Sequence, residues 1–229
     1  MAFVPLLSFS QNNPVVIELF TSQGCSSCPA ADKNLAEIIA SAEANGQPVY
    51  GLSFHVDYWN YIGWKDPYSK SEYTARQRRY AQVMNSESVY TPQMVVNGEA
   101  EFVGSDKKTS GQAVARALAK KMTYQISLNN LERVGEKISV SYSLSKNPEG
   151  ETVNVAMVER AIANEVTRGE NAGRKLTHKN VVRSFVSVAA QQKGTITIDL
   201  PKGGTPCSII VFVQNQEWHI TGVIGKNIN

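Results

Sequence analysis

The sequence is short of the residues that build disulfide frameworks and metal cages. It holds three cysteines and three histidines in 229 residues. Two cysteines stand two residues apart and the third is distant, so the set gives one functional pair and one leftover rather than a stapled scaffold. There is no second Cys-x-x-Cys and no His-x3-His, which leaves a structural zinc site two ligands short. No internal apolar run approaches the roughly 20 residues that span a bilayer. Charge is scarce as well: 19% of residues are charged and the net charge is +3, too little for a nucleic-acid partner. Repeats and low-complexity tracts are absent. What remains is 42% hydrophobic, enough for a proper core in one large domain or two small ones.

Three regions follow along the chain. Residues 1–13 read as a signal-peptide remnant and tail: Phe3 to Ser10 is short and apolar, ends small-x-small at Ser8 and Ser10, and places cleavage before Gln11. A periplasmic or secreted location is expected from it. Residues 14–122 alternate strands and helices. Val15–Phe20 reads as a buried strand, Cys25–Ala44 as a helix with apolar residues three and four apart, and Val49–Phe54 as a second strand, parallel to the first. Ser69–Met84 and a segment from Ser105, read as its cap, to Lys121 are further helices. Asn97-Gly98 between two apolar runs signals a hairpin. Residues 123–229 hold seven short strand patterns without helices, read as an all-β, antiparallel, sandwich-like domain. The expected fold class is α/β: a central sheet with flanking helices, followed by this sandwich.

The chemistry centres on Gly24-Cys25-Ser26-Ser27-Cys28-Pro29. A cysteine in the first turn of a helix meets free backbone N–H groups and the positive end of the dipole, which lowers a thiol pKa from about 8.5 to roughly 3.5–7.5. Cys25 is thus the expected attacking thiolate and Cys28 its partner one turn on. Thr91-Pro92, ahead of the hairpin, completes a pattern of strand, Cys pair, helix, strand, Thr-Pro, hairpin and helix. That order resembles the thioredoxins over residues 14–122. The resemblance implies a cis bond at Pro92, a role for Thr91 in offering its backbone to substrate, and a buried acid that helps the inner cysteine exchange its proton, for which Glu18 is the candidate.

Two features depart from thioredoxin: glycine, not tryptophan, precedes Cys25, and an insert runs over residues 55–91. Residues 50–90 hold seven of the nine tyrosines and two of the three tryptophans. The string from Phe54 through His55, Asp57, Trp59 and Trp64 to Pro67, with Thr74-Ala75-Arg76-Gln77, Gly169-Glu170-Asn171-Ala172-Gly173-Arg174 and Asn180-Val181-Val182-Arg183, resembles the secreted bacterial thioredoxin-like proteins of the domain-of-unknown-function 1223 family. That resemblance is close to full length and implies a fold and a redox centre, without naming a substrate.

His55 and Asp57 follow the second strand, beside the Cys pair, and are possible modulators. Tyr58, Trp59 and Trp64 would line a substrate groove; the plainer alternative is a local core under the Ser69–Met84 helix. Arg76, Arg78 and Arg79 read as a solvated face with Glu72 paired to Arg76. Cys207 reads as a buried small hydrophobe at a strand start, and His178 and His219 as isolated structural residues. The expected activity is exported thiol–disulfide exchange on a protein or small-molecule thiol or disulfide, with an unidentified redox partner and no cofactor or metal. Two rivals stand beside it: a copper carrier using Cys25, Cys28 and His55, and a non-catalytic partner-binding protein that uses the 169–183 stretch as its loop.

Overall fold

The computed structural model describes residues 13–228. The signal-peptide and tail reading of residues 1–13 lies, but for Asn13, outside the described residues. Strand β1 (Val15–Thr21), helix α1 (Cys28–Ala44) and strand β2 (Val49–His55) form the first unit. β1 and β2 are parallel, in register from Val15 against Val49 to Thr21 against His55, as a β-α-β crossover requires. α1 starts three residues later than expected. The Cys28 N–H bonds the Cys25 carbonyl at 3.2 Å, closing a turn first, and Pro29 then suits the opening of the helix. Cys25 therefore precedes the helix instead of sitting in its first turn. α1 lays Ala31, Leu35, Ile39 and Ala42 against Val15, Ile17 and Leu19 of β1.

The opposite face of β1 presents Val16, Glu18 and Phe20 to helix α2 (Ser71–Val83), whose Tyr73 and Tyr80 enter that core. Arg76 does not lie on a solvated face. It is buried, its Nε and Nη2 donate to the two Glu18 oxygens at 2.5 and 2.9 Å, and its guanidinium is 4.9–5.7 Å from the rings of Phe54, Tyr80, Phe185, Phe212 and Trp218. Strand alternation turns Glu18 into this apolar space, where the inward Arg76 pairs with it and the Tyr80 hydroxyl donates to it. Glu72 pairs instead with Lys70. Strands β3 (Gln93–Val96) and β4 (Ala100–Val103) form the expected hairpin, with Asn97 and Gly98 at φ +50° and +68°. Helix α3 (Lys107–Ala119) is capped by Asp106, which accepts from the Thr109 N–H at 3.0 Å, and not by Ser105.

The remaining seven strands are β5 (Ile126–Val134), β6 (Lys137–Leu144), β7 (Thr152–Val166), β8 (Arg174–Ala189), β9 (Lys193–Asp199), β10 (Cys207–Gln214) and β11 (Ile220–Ile228). They do not all form a sandwich of their own. Four of them extend the first sheet, giving the order β11-β10-β7-β8-β2-β1-β3-β4; only β5, β6 and β9 make a separate antiparallel sheet. The seam is β2 against β8, parallel at Ser53 and Val181, reinforced by Ser53 Oγ donating to the Lys179 carbonyl at 2.8 Å. β10 is buried along its whole length, the mark of a strand covered on both faces. One face, with Val155, Met157, Ile209 and Val211, meets Val140, Tyr142 and Ile198 of the small sheet. The other, with Ala156, Val158, Ile210 and Phe212, shares a core with Phe20, Phe54 and Tyr73. The expected boundary near residue 122 thus runs beside one continuous sheet. Among the described residues no helix is long and apolar enough to cross a membrane.

Candidate functional site

The carboxyl ends of β1 and β2 lie side by side and deliver the Ser22–Gly24 loop and His55 to one place. Cys25 and Cys28 sit there with their sulfurs in contact and Cα atoms 5.4 Å apart, within the range a disulfide bridges. The Ser26 and Ser27 side of the turn is exposed, whereas Cys25 is 1% and Cys28 0% exposed. Across from them the Thr91–Pro92 peptide is cis, and the Thr91 carbonyl lies 4.0 Å from Cys25 Sγ. Thr91 and Pro92 are thus brought to the Cys pair.

The insert supplies one wall. Trp59 Nε1 donates to Thr91 Oγ1 at 2.6 Å, and its ring stacks on Tyr61, which is 81% exposed. Trp64 Nε1 donates to Gln23 Oε1 at 3.2 Å. The Tyr58 hydroxyl donates to Gln77 on α2 at 3.1 Å and lies beside the Thr91 side chain; Tyr58 and Trp59 also pack on the main core. Gly24 lets the insert sit close: a Cβ there would stand 3.0 Å from Ile62 and 3.3 Å from Trp59, so these neighbours would have to give way.

His55 is brought to the site and Asp57 is not. Asp57 braces α2 through Thr74 Oγ1 at 2.6 Å. The carboxylate on His55 is Asp66, whose Oδ2 stands 2.7 Å from His55 Nδ1 and also accepts the Gln23 N–H at 2.8 Å. Burial pushes the His55 pKa down, but the Asp66 charge and hydrogen bond outweigh it and the net shift is upward. Burial likewise pushes Asp66 up, and the His55 interaction brings it below the usual carboxylate range. Glu18 lies on the other face of β1, held by Arg76 and Tyr80. The structure does not bring it to the Cys pair, because residue 18 has the strand parity of Val16 and Phe20 and not that of the α1-facing residues 17 and 19.

The tip of the β7–β8 hairpin supplies the other wall, and sequence reasoning missed it. Asn171 Nδ2 donates to the carbonyls of Gln23 and Cys25, both at 2.9 Å. Glu170 Oε2 accepts the Ser26 N–H at 2.9 Å. Asn164 exchanges two hydrogen bonds with the Gln23 amide. Gly169, at φ +76°, lets the tip approach: a Cβ there would lie 2.8 Å from Ile62. His178 is not isolated. Its ring is 4.8 Å from that of His55, its Nε2 is 3.1 Å from Gln23 Nε2, and its Nδ1 is 3.4 Å from Asp32 Oδ2. With Gln23 donating, the proton of a neutral His178 sits on Nδ1 and faces Asp32. Cys207 is a buried free thiol at the start of β10, its pKa pushed up by burial.

A family described as "Protein of unknown function (DUF1223)" matches residues 16–214, and the chain belongs to it. A crystal structure of a protein from Agrobacterium tumefaciens is similar over 95% of this chain and 94% of that one, at 27% identity and a TM-score of 0.67. A β-glucuronidase from Ruminococcus gnavus aligns with 47% of this chain and 16% of its own, at 9% identity and a TM-score of 0.27. The ligand-binding region of serine-glutamate repeat protein A of Enterococcus faecium aligns with 47% of this chain and 90% of its own, at 12% identity and a TM-score of 0.27. The last two likenesses carry no argument. No curated protein matches the sequence.

Proposed function

We propose that the chain is an exported thiol–disulfide oxidoreductase whose residues 14–122 form a thioredoxin-like unit, acting on protein or small-molecule thiols and disulfides. The observation that carries this is the Cys25–Cys28 contact at the end of β1, faced by the Thr91 carbonyl 4.0 Å from Cys25 Sγ. A substrate thiolate attacks Cys25 Sγ; the new S–S bond forms as the Cys25–Cys28 bond breaks and Cys28 leaves as the thiolate. A second substrate thiolate then attacks the substrate sulfur and releases Cys25, so two electrons have passed to the pair. The reverse sequence reduces a substrate disulfide. Thr91 offers its backbone to the incoming chain, and the exposed Tyr61 stacked on Trp59 gives that chain an aromatic surface beside the thiols.

Alkylation trapping after equilibration in glutathione buffers tests the reading. Wild-type protein should pass from a two-thiol to a disulfide state as the buffer becomes more oxidising, with insulin reduction lost in Cys25→Ser. A pair that stays in one state across the whole range, or a Cys25→Ser variant of full activity, removes it. The copper-carrier alternative is less well supported. His55 Nδ1 is engaged by Asp66, and no group of three His, Cys, Asp or Glu side chains among the described residues is arranged to hold a metal ion. The partner-binding alternative loses part of its surface, since Glu170 and Asn171 are engaged within the chain.

A further inference from the structure

Buried polar atoms are rarely left without partners. Among the described residues, Asp32 Oδ1, His55 Nε2 and His178 Nδ1 are three such atoms, and they fall in one cluster. Asp32 lies one turn beyond Cys28 on the same face of α1, the i, i+4 relation that makes side chains neighbours. Thr21 Oγ1 and His178 Nδ1 approach its Oδ2 at 3.3 and 3.4 Å. His55 stands behind His178, tied to Asp66.

Cys28 creates a need that this cluster answers. When the Cys25–Cys28 bond opens, the electron pair stays on the Cys28 sulfur, in a place closed to water. An unpaired charge there is costly, so a proton has to reach the sulfur and leave it again when Cys28 attacks a mixed disulfide. Glu18 is on the wrong face of the sheet. Asp32 and His178 also line a cavity of about 550 Å³ between α1 and the hairpin, together with the exposed Lys33, Arg174, Lys175 and Lys179. That cavity gives the pair a way out to solvent.

We propose that Asp32 and His178, backed by the His55–Asp66 pair, are the proton site of Cys28. The proton passes to the Cys28 thiolate as the disulfide opens, returns as the thiol attacks, and exchanges with solvent through this cavity. This rests on the oxidoreductase reading above. The charged and titratable groups facing the cluster are Asp66 and Tyr68 from the segment after β2, Lys33 from α1, Arg174, Lys175, Lys179 and Arg183 from β8, and Glu159 of β7 through its pair with Arg183.

The test mixes the reduced full-length protein with dithiobis(nitrobenzoate), whose disulfide Cys25 attacks to form a mixed disulfide with release of one thionitrobenzoate, and follows release of the second by Cys28 from about pH 5 to pH 9. Asp32→Asn and His178→Gln should each slow release by about a hundredfold, the scale of a positioned acid–base group, and remove an inflection that the wild type shows. Ring NMR of the wild-type protein needs no variant: at one fixed pH the His178 ring nitrogen resonances should differ between disulfide and dithiol states. If alkylation shows the pair cycling but the variants keep the wild-type rate and pH profile, or the His178 ring resonances are the same in both states, the proton site falls and the oxidoreductase reading stands. A pair that never opens removes both.

Discussion

Asn171 uses both amide hydrogens on the carbonyls that flank the first cysteine. Asn171→Ala leaves the Gln23 carbonyl buried and unpartnered, and the Cys25 carbonyl with the Cys28 N–H alone, at a cost of about 1–3 kcal/mol. It should also uncover Cys25, so that reduction of the Cys25–Cys28 bond by a phosphine runs several-fold faster; urea unfolding and timed alkylation check the two effects. The His55–Asp66 pair sets a pH window. The His55 pKa is raised in the folded chain, so its contribution is full below the unfolded value of about 6.5 and is lost as pH rises through the folded value. Asp66 is lowered, so its contribution is present above about 3.9 and is lost as pH falls through the folded value. Melting temperature should therefore be highest between these limits and fall on both sides, and His55→Asn should flatten the alkaline fall. Cys25, Cys28 and Pro92 were legible because each belongs to a short local pattern. Asp66, Asn171 and His178 were not, because what places them is tertiary: a single polar residue in a loop or on a strand has no period to betray what it faces.

At the level of elements, α2 is anchored by charge as much as by packing. Arg76→Leu strands Glu18 in an apolar core and should cost about 3–5 kcal/mol, whereas the double change Glu18→Leu with Arg76→Met should restore most of that. Denaturant unfolding measures both. Because this pair lies across β1 from the Cys turn, the double variant should keep the wild-type redox potential, and a large change would return Glu18 to the site. Helix positions were readable to within a few residues from apolar spacing and from Asn-Gly and Pro punctuation. The strands after residue 122 were readable too, but not their partners. Strands β7 and β8 run to 15 and 16 residues, and their outer halves carry polar alternation that reads as loop until the hairpin is seen to rest on α1.

The two halves of the molecule share one core. Phe20 and Phe54 pack with Ala156, Val158, Ile210 and Phe212, so neither half can separate without exposing that surface. Scanning calorimetry should give one cooperative transition, and a 123–229 fragment should be insoluble or unfolded; two resolved transitions would contradict this. The division at residue 122 looked natural in the sequence because helices stop there, yet a change of secondary structure marks a change of element supply, not a break in packing.

The hairpin that closes over the Cys turn has a consequence in time. Asn171 lies 146 residues after Cys25. At about 5–20 residues per second, the ribosome needs on the order of 7–30 seconds to reach it after making the first cysteine. For that interval the thiols are part of a growing chain with no cover. The Cys turn is made before the piece that shields it exists.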